Sequence, residues 1–511
     1  MAMQTGRITH EDAKLPFPFE AALTGAVAIG RDGWAPWVSQ RPFRVCSIRT
    51  PQSMTSPQSS QRIPHRPPGP RHVVSAEEIR GDPLEFLTSF ADRFGPISHH
   101  STEQGDQVYM VSTPDLVREI LLAGEERFTK HETADDYMLT PLLGEGLLTS
   151  HGEQWRRQRE ITQPMFQRNR VEQFAPQITD AAVALAGRWS TASKNEPVHA
   201  DLDLTALALE VVALAILGSD LSGVGQGFGT AVDAVNAAMS HGDPRDTPDD
   251  PTVIGHYAAF DRAKRTIDRI VALLIDARKF LGAADSGPSD LLSVLLDARD
   301  PATGEPLSAE ELRAQVMTMV MAGHETTAKA LTWSLYLMTQ HGGVAAEVRN
   351  EIDTVVGDRP VSLGDLPSLG LCRSVLQESM RLYPPIWVIS RRAVHDDQLA
   401  GFDVPAGSLV TVSPWVMHRS SDYWPEPDSF DPSRFLSDDG PAPFTYLPFG
   451  GGPRVCLGRG FAQLEAQLVF ATLCQRLKFD LWPDHVVEPQ ALVTLRPSNG
   501  LLLSVEPRVT P

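Results

Sequence analysis

Phe449-Gly450-Gly451-Gly452-Pro453-Arg454-Val455-Cys456-Leu457-Gly458 is the stretch on which the fold turns. It sets one thiol behind a glycine-rich loop, beside a cation and just ahead of a helical pattern marked by Phe461, Leu464 and Leu468. A helix N-terminus and a neighbouring Arg both favour thiolate over thiol. Glycines let backbone N–H groups approach the sulfur and leave room for something flat above it. A single soft thiolate ligand of this kind suits an iron porphyrin. A lone Cys more often just packs in a core, so this thiol alone leaves both readings open.

Composition narrows the classes. The chain has 511 residues, 42% of them hydrophobic, and a net charge of -19. A large core is possible, and binding to nucleic acid through overall basic charge is not expected. Cys46, Cys372, Cys456 and Cys474 form no CxxC pair and no disulfide framework, which suits a reducing compartment. No apolar run reaches the ~20 residues that span a bilayer. A cytoplasmic protein without a membrane anchor is the expectation.

Residues 1–68 are rich in Pro, Ser, Gln and Arg and read as a disordered or loosely attached extension, with Met54 as a possible native start. Residues 69–511 read as a single catalytic domain. Gln107-Val-Tyr-Met-Val111 has strand character, and long helical patterns dominate from Pro114 to Tyr383. The longest, Leu307 to Gln340, opens on a capping box from Ser308 to Glu311. Short strands, turns and prolines follow Pro384.

Three further motifs carry chemistry. Ala322-Gly323-His324-Glu325-Thr326-Thr327 places a glycine, an acid and two hydroxyls at the centre of the long helix. Gly costs about 1 kcal/mol there relative to Ala, and hydroxyls compete for helical carbonyls. A buried acid needs partners. Such departures from local preference mark functional sites, although a kinked core helix with a solvated Glu is the plain alternative. Glu378-Ser-Met-Arg381 sets an acid and a base three residues apart on one helix face. Trp155 and Arg159 lie one turn apart in Trp-Arg-Arg-Gln-Arg.

Phe-x-x-Gly-x-Arg-x-Cys-x-Gly resembles the haem-binding signature of the cytochrome P-450 monooxygenases, and the other three motifs match that family in order across roughly residues 70–507. The resemblance implies a mainly α-helical triangular prism with a smaller β region, holding haem b with Cys456 as the iron's axial ligand. Phe449, Gly450 and Gly458 of the signature and Ala322 of the helix would border the cofactor. Trp155, Arg159, Arg392 and Arg454 would bind its propionates, Arg392 being chosen over the adjoining Arg391. Thr326 and Glu325 would support and protonate bound dioxygen, the co-substrate. Glu378, Arg381 and Arg434 would lock the proximal side without catalytic duty. His324 reads as a satisfied or solvated helix residue.

The same resemblance implies a substrate pocket in three regions: a loop near Asp136–Leu148 with Tyr137, Met138 and Leu142; Met317, Val320 and Met321 on the long helix; and Ile386, Trp387 and Val388 after Pro385. These residues are mostly apolar, so a hydrophobic small molecule such as a terpenoid, fatty acyl or polyketide compound is expected, hydroxylated or epoxidised in bacterial secondary metabolism. Only 55 residues follow Cys456, too few for a fused flavin reductase. Electrons from NAD(P)H would arrive through a ferredoxin reductase and a ferredoxin, docking on Arg156, Arg157, Arg168, Arg170 and Arg459, unless those arginines form only a solvated face. Oxidative coupling, a peroxygenase and a non-catalytic haem sensor are the alternatives.

Overall fold

The computed structural model describes residues 65–217, 231, 234–235, 251–281, 291–300, 303–437 and 439–508. Helices come early and often: α1 (Ala76–Gly81), α2 (Pro83–Phe94), α3 (Pro114–Leu122), α4 (Ala134–Leu143), α5 (Gly152–Thr162), α6 (Arg168–Val171), α7 (Ala175–Ser190) and α8 (Ala200–Leu217). They continue with α9 (Pro251–Leu281), α10 (Leu291–Asp297), α11 (Ala309–Gln340), α12 (Gly342–Val355), α13 (Gly370–Leu382), α14 (Pro414–Met417) and α15 (Arg459–Arg476). The fold class is as the motifs implied, a helical body with a smaller β region.

One sheet of five strands pairs β1 (Ile97–Ser101), β2 (Gln107–Val111), β8 (Leu409–Val412), β5 (Ile389–Ala393) and β3 (Phe128–Thr129) in that order. Its β2–β8 pairing is parallel and the others antiparallel. A second sheet joins β4 (Val198–His199), β12 (Leu502–Pro507) and β9 (Leu477–Leu481). Two hairpins, β6 (Asp397–Leu399) with β7 (Phe402–Val404) and β10 (Pro489–Ala491) with β11 (Leu495–Pro497), complete the β part.

The long helix begins where its capping box predicts. Ser308 Oγ accepts from Glu311 N at 3.1 Å, and Glu311 Oε2 accepts from Ser308 N at 2.9 Å. α11 then runs unbroken through the core, packed on α8, α13 and α15. Gly323 is explained by packing. A Cβ there would come within 2.9 Å of Val212 Cγ2 on α8, so the glycine lets two helices approach closely.

Residues 1–64 of the expected extension, Met54 included, lie outside the described residues. Residues 65–68 are not loosely attached: His65 N donates to Asp403 Oδ2 at 2.8 Å, and Pro68 O accepts from His99 N at 2.9 Å. Buried strand backbone needs such partners, which draws the chain onto the sheet edge. Among the described residues no helix is long and apolar enough to cross a membrane.

Candidate functional site

The Cys456 loop forms the floor of a cavity of about 840 Å³. Gly450 and Gly452 both adopt left-handed φ, +68° in each case. A Cβ on Gly452 would lie 1.8 Å from the Leu121 carbonyl oxygen, so only glycine lets the loop turn against α3. Cys456 N donates to Phe449 O at 3.0 Å and closes the loop. The sulfur is exposed into the cavity but otherwise walled by protein. Burial pushes this thiol up, against Gly458 N–H, the Arg159 and Arg459 charges and Arg459 N–H, which pull it down. The loop's preference for thiolate is present but outweighed, so a thiolate there needs a positive partner above it.

Cations gather on one wall. Arg454 stacks its guanidinium over Trp155 at 4.4 Å, donates to Ser150 O at 2.8 Å and pairs with Glu125. Arg159 Nη1 donates to Val455 O at 2.9 Å. Strand alternation decides between the two adjacent arginines of β5. Arg391 is buried and lines the cavity. Arg392 points the other way and donates to Glu132 O at 2.9 Å through Nε. The cavity-facing cation is therefore Arg391, in place of the predicted Arg392.

Lys130, overlooked in the sequence, also lines this wall and is buried. Burial brings its ammonium down to about 8, with Asp135 opposing and Arg391 and Arg454 adding to the fall. Burial and Arg454 bring Arg391 down to about 10. Desolvated cations that depress one another call for anionic company. A flat group bearing carboxylates above Cys456 fits this donor set.

α11 supplies another side. Met321, Ala322, Glu325 and Thr326 line the cavity. Thr326 Oγ1 donates to Ala322 O at 2.8 Å, and Glu325 Oε1 accepts from Thr494 Oγ1 at 2.8 Å. Met317 and Val320 do not reach the cavity: they sit in the core, on the same helical face as His324. His324 is buried, with Nδ1 2.8 Å from Val320 O.

The remaining walls match the expected regions in part. Tyr137, Met138 and Leu142 line the cavity from α4, a helix rather than the expected loop. Thr133 caps it by accepting from Asp136 N, and Pro141 is accommodated near its C-terminal end. Ile386, Trp387 and Val388 line another side. Phe449, Gly450 and Gly458 border the floor.

Beneath the loop, Arg381 satisfies all its N–H groups. Nε and Nη2 donate to the two Glu378 oxygens at 2.7 and 2.8 Å. Nη1 donates to His418 O and Pro427 O at 2.8 and 2.6 Å, and Nη2 also to Ser429 O at 3.0 Å. Arg434 Nε stands 3.4 Å from Glu378 Oε1. His418, which no motif marked, joins this knot to the loop: its Nε2 accepts from Leu447 N at 2.7 Å. Its Nδ1 lies 3.1 Å from Arg381 O, and burial brings its imidazole down to about 3. Glu465 on α15 is also buried, and burial drives its carboxyl well above the ordinary range, with Thr327 opposing.

The basic residues expected at a docking face divide. Arg157 bridges Asp300, at 2.7 Å, and Glu311. Arg168 pairs with Glu172 along one helix face at 2.5 Å. Arg156, paired with exposed Glu153 at 3.1 Å, lines a surface groove with Trp155, Gly452 and Pro453 on the outer side of the loop.

The family model described as Cytochrome P450 matches residues 64–504. Cyclooctatin synthase of Streptomyces melanosporofaciens is 31% identical over 443 residues, covering 83% of this chain and 92% of that protein. Pentalenene oxygenase of Streptomyces avermitilis is 30% identical, covering 86% and 93%. Cyclooctat-9-en-7-ol 5-monooxygenase of Streptomyces melanosporofaciens is 32% identical, covering 77% and 84%.

Proposed function

The chain belongs to the cytochrome P450 family and is a monooxygenase using haem, dioxygen and electrons from a partner; we propose that it hydroxylates or epoxidises a hydrophobic ring compound of the terpenoid or polyketide kind. The observation that carries this reading is one cavity with Cys456 at its floor, buried cations on one wall and Glu325 with Thr326 facing in. Cys456 would ligate the haem iron. Arg454, Arg159, Lys130, Arg391 and the Trp155 indole N–H would hold the propionates, as charge-assisted donors do for carboxylates. The bound haem-thiolate supplies the power to cleave dioxygen and oxidise an unactivated C–H or C=C bond.

The chain's own residues do the rest. Glu325, held on α11, would pass protons toward the cavity, and the Thr326 hydroxyl would donate at its edge. Met138, Leu142, Met321, Ile386 and Trp387 exclude water and give an apolar substrate its contacts. Relatives named for pentalenene and for cyclooctat-9-en-7-ol support an uncharged, largely apolar ring compound over a charged substrate. Glu325 and Thr326 together favour dioxygen over a peroxide-only reaction. We assign the partner to a ferredoxin, reduced through NAD(P)H and its reductase.

The test is an optical titration of the ferric protein with terpenoids, fatty acids and macrolides. A Soret shift from low to high spin with one class, followed by oxygenated product under reductase-supported turnover, supports the reading. Shifts confined to acyl chains would overturn the ring-compound assignment, and shifts confined to macrolides would place the substrate on its polyketide side. Binding with no product and no substrate-dependent oxygen uptake would favour a sensor.

A further inference from the structure

We propose that Thr494 is a positioning residue, its hydroxyl holding the Glu325 carboxylate in the orientation from which it serves the cavity. The inference rests on the reading of Glu325 as the proton-relaying acid. Both side chains are buried and both line the cavity. The hydroxyl donates to Oε1 at 2.8 Å across 169 residues of chain. Thr326, the nearer hydroxyl in sequence, does not do this, since it donates to Ala322 O.

The segment around Thr494 is held independently of that hydroxyl. Trp387 Nε1 donates to Leu492 O at 2.8 Å, and Trp333 Nε1 donates to Leu495 O at 3.0 Å. Leu495 N donates to Pro385 O at 3.0 Å. Trp333 lies on α11 itself, a little over two turns beyond Glu325. The β10–β11 turn is thus bolted to the helix that carries the acid, and the distance from hydroxyl to carboxylate is set at both ends. Two indoles and a backbone bond already fix the turn, so the Thr494 hydroxyl is surplus to the fold and available for orientation. A carboxylate oxygen buried without that donor would seek another partner and turn away.

The experiment compares the haem-loaded T494V, T494S, E325Q and T494V/E325Q variants with the wild type. Valine keeps the shape and removes the donor; serine keeps the donor. The first readout is the infrared carboxylate band of the resting ferric protein, assigned to Glu325 by its loss in E325Q. It shifts in T494V and returns in T494S. The second is peroxide released per dioxygen consumed, without substrate, with an added ferredoxin and ferredoxin reductase. It rises several-fold in E325Q and T494V, stays at the wild-type value in T494S, and rises no further in the double variant than in E325Q. An unmoved band in T494V overturns the proposal. So does a T494V peroxide ratio at the wild-type value while E325Q raises it. An unchanged ratio in E325Q instead refutes the proton-relay reading, and the infrared band still decides whether Thr494 orients the acid.

Discussion

Arg391 and Arg392 are chemically identical and one position apart, yet the pleat of β5 sends them to opposite faces. Arg391 reaches the cavity, while Arg392 is occupied by the carbonyls of Glu132 and Gly407. If the propionates lie where Lys130, Arg454 and Trp155 converge, the two arginines must differ in consequence. Arg391→Gln is expected to lower haem retention at least several-fold, and Arg392→Gln to leave it near the wild-type level. Haem released to apomyoglobin from each variant over time measures this; equal retention in both would place the propionates elsewhere. Neither β5 arginine could be chosen from sequence, because two adjacent arginines in a short strand carry no marker of which way the pleat begins. Lys130 was illegible for another reason: a buried lysine is an exception to the usual solvated one, and only the wall around it reveals the exception. Cys456 was legible because its loop chemistry is local, with the left-handed turn at Gly452, the cation and the helix start all falling within ten residues.

α11 and α15 show what an element can hide. The capping box and apolar spacing marked α11, and its axial extent followed. Its rotation is set by the face of Ala322, Glu325 and Thr326 that lines the cavity, and that rotation turns Met317 and Val320, against expectation, into the core with His324. Around Met317 and Val320 apolar residues stand on every side of the helix, so hydropathy there does not separate cavity from core. α15 carries Glu465, wholly enclosed, with only the Thr327 side chain set against its burial. Burial raises this carboxyl well above its ordinary 4.5, so the folded protein keeps the proton over a range where the unfolded chain has released it. The folded state then binds more protons, and stability falls as pH rises above about 4.5. Glu465→Gln removes that penalty with little change of shape. Its stabilising effect should be small near pH 4.5 and grow as the pH rises above it. Denaturant melts of both proteins between pH 4.5 and 8 measure the difference; a variant equally or less stable at pH 8 would mean that Glu465 is ionised or strongly partnered in solution.

The whole molecule carries a charge of -19, and an acidic donor protein would be repelled by it except at a local basic surface. Around the Cys456 loop the exposed arginines that could make one are fewer than the sequence suggested, and carboxylates stand among them. Arg157 is committed to Asp300 and Glu311, a clasp between α5 and the start of α11, and Arg168 shares its charge with Glu172. Arg156 and Arg459 are the better candidates by position: Arg156, though paired with Glu153, borders the outer groove beside Gly452 and Pro453, and Arg459 is exposed at the first position of α15. Steering of this kind acts through solvent and fades as the screening length contracts from ~10 Å at 0.1 M salt to ~3 Å at 1 M. Reversing both charges, Arg156→Glu with Arg459→Glu, should therefore slow reduction by a ferredoxin about tenfold or more at low ionic strength, and the two proteins should converge near 1 M salt. Arg157→Glu should behave differently, lowering the melting temperature because two carboxylates lose their counter-ion, with an effect on stability that salt does not abolish. Stopped-flow reduction across a salt series separates these outcomes. A double reversal that reduces at the wild-type rate in low salt would show that the donor approaches another face of the molecule.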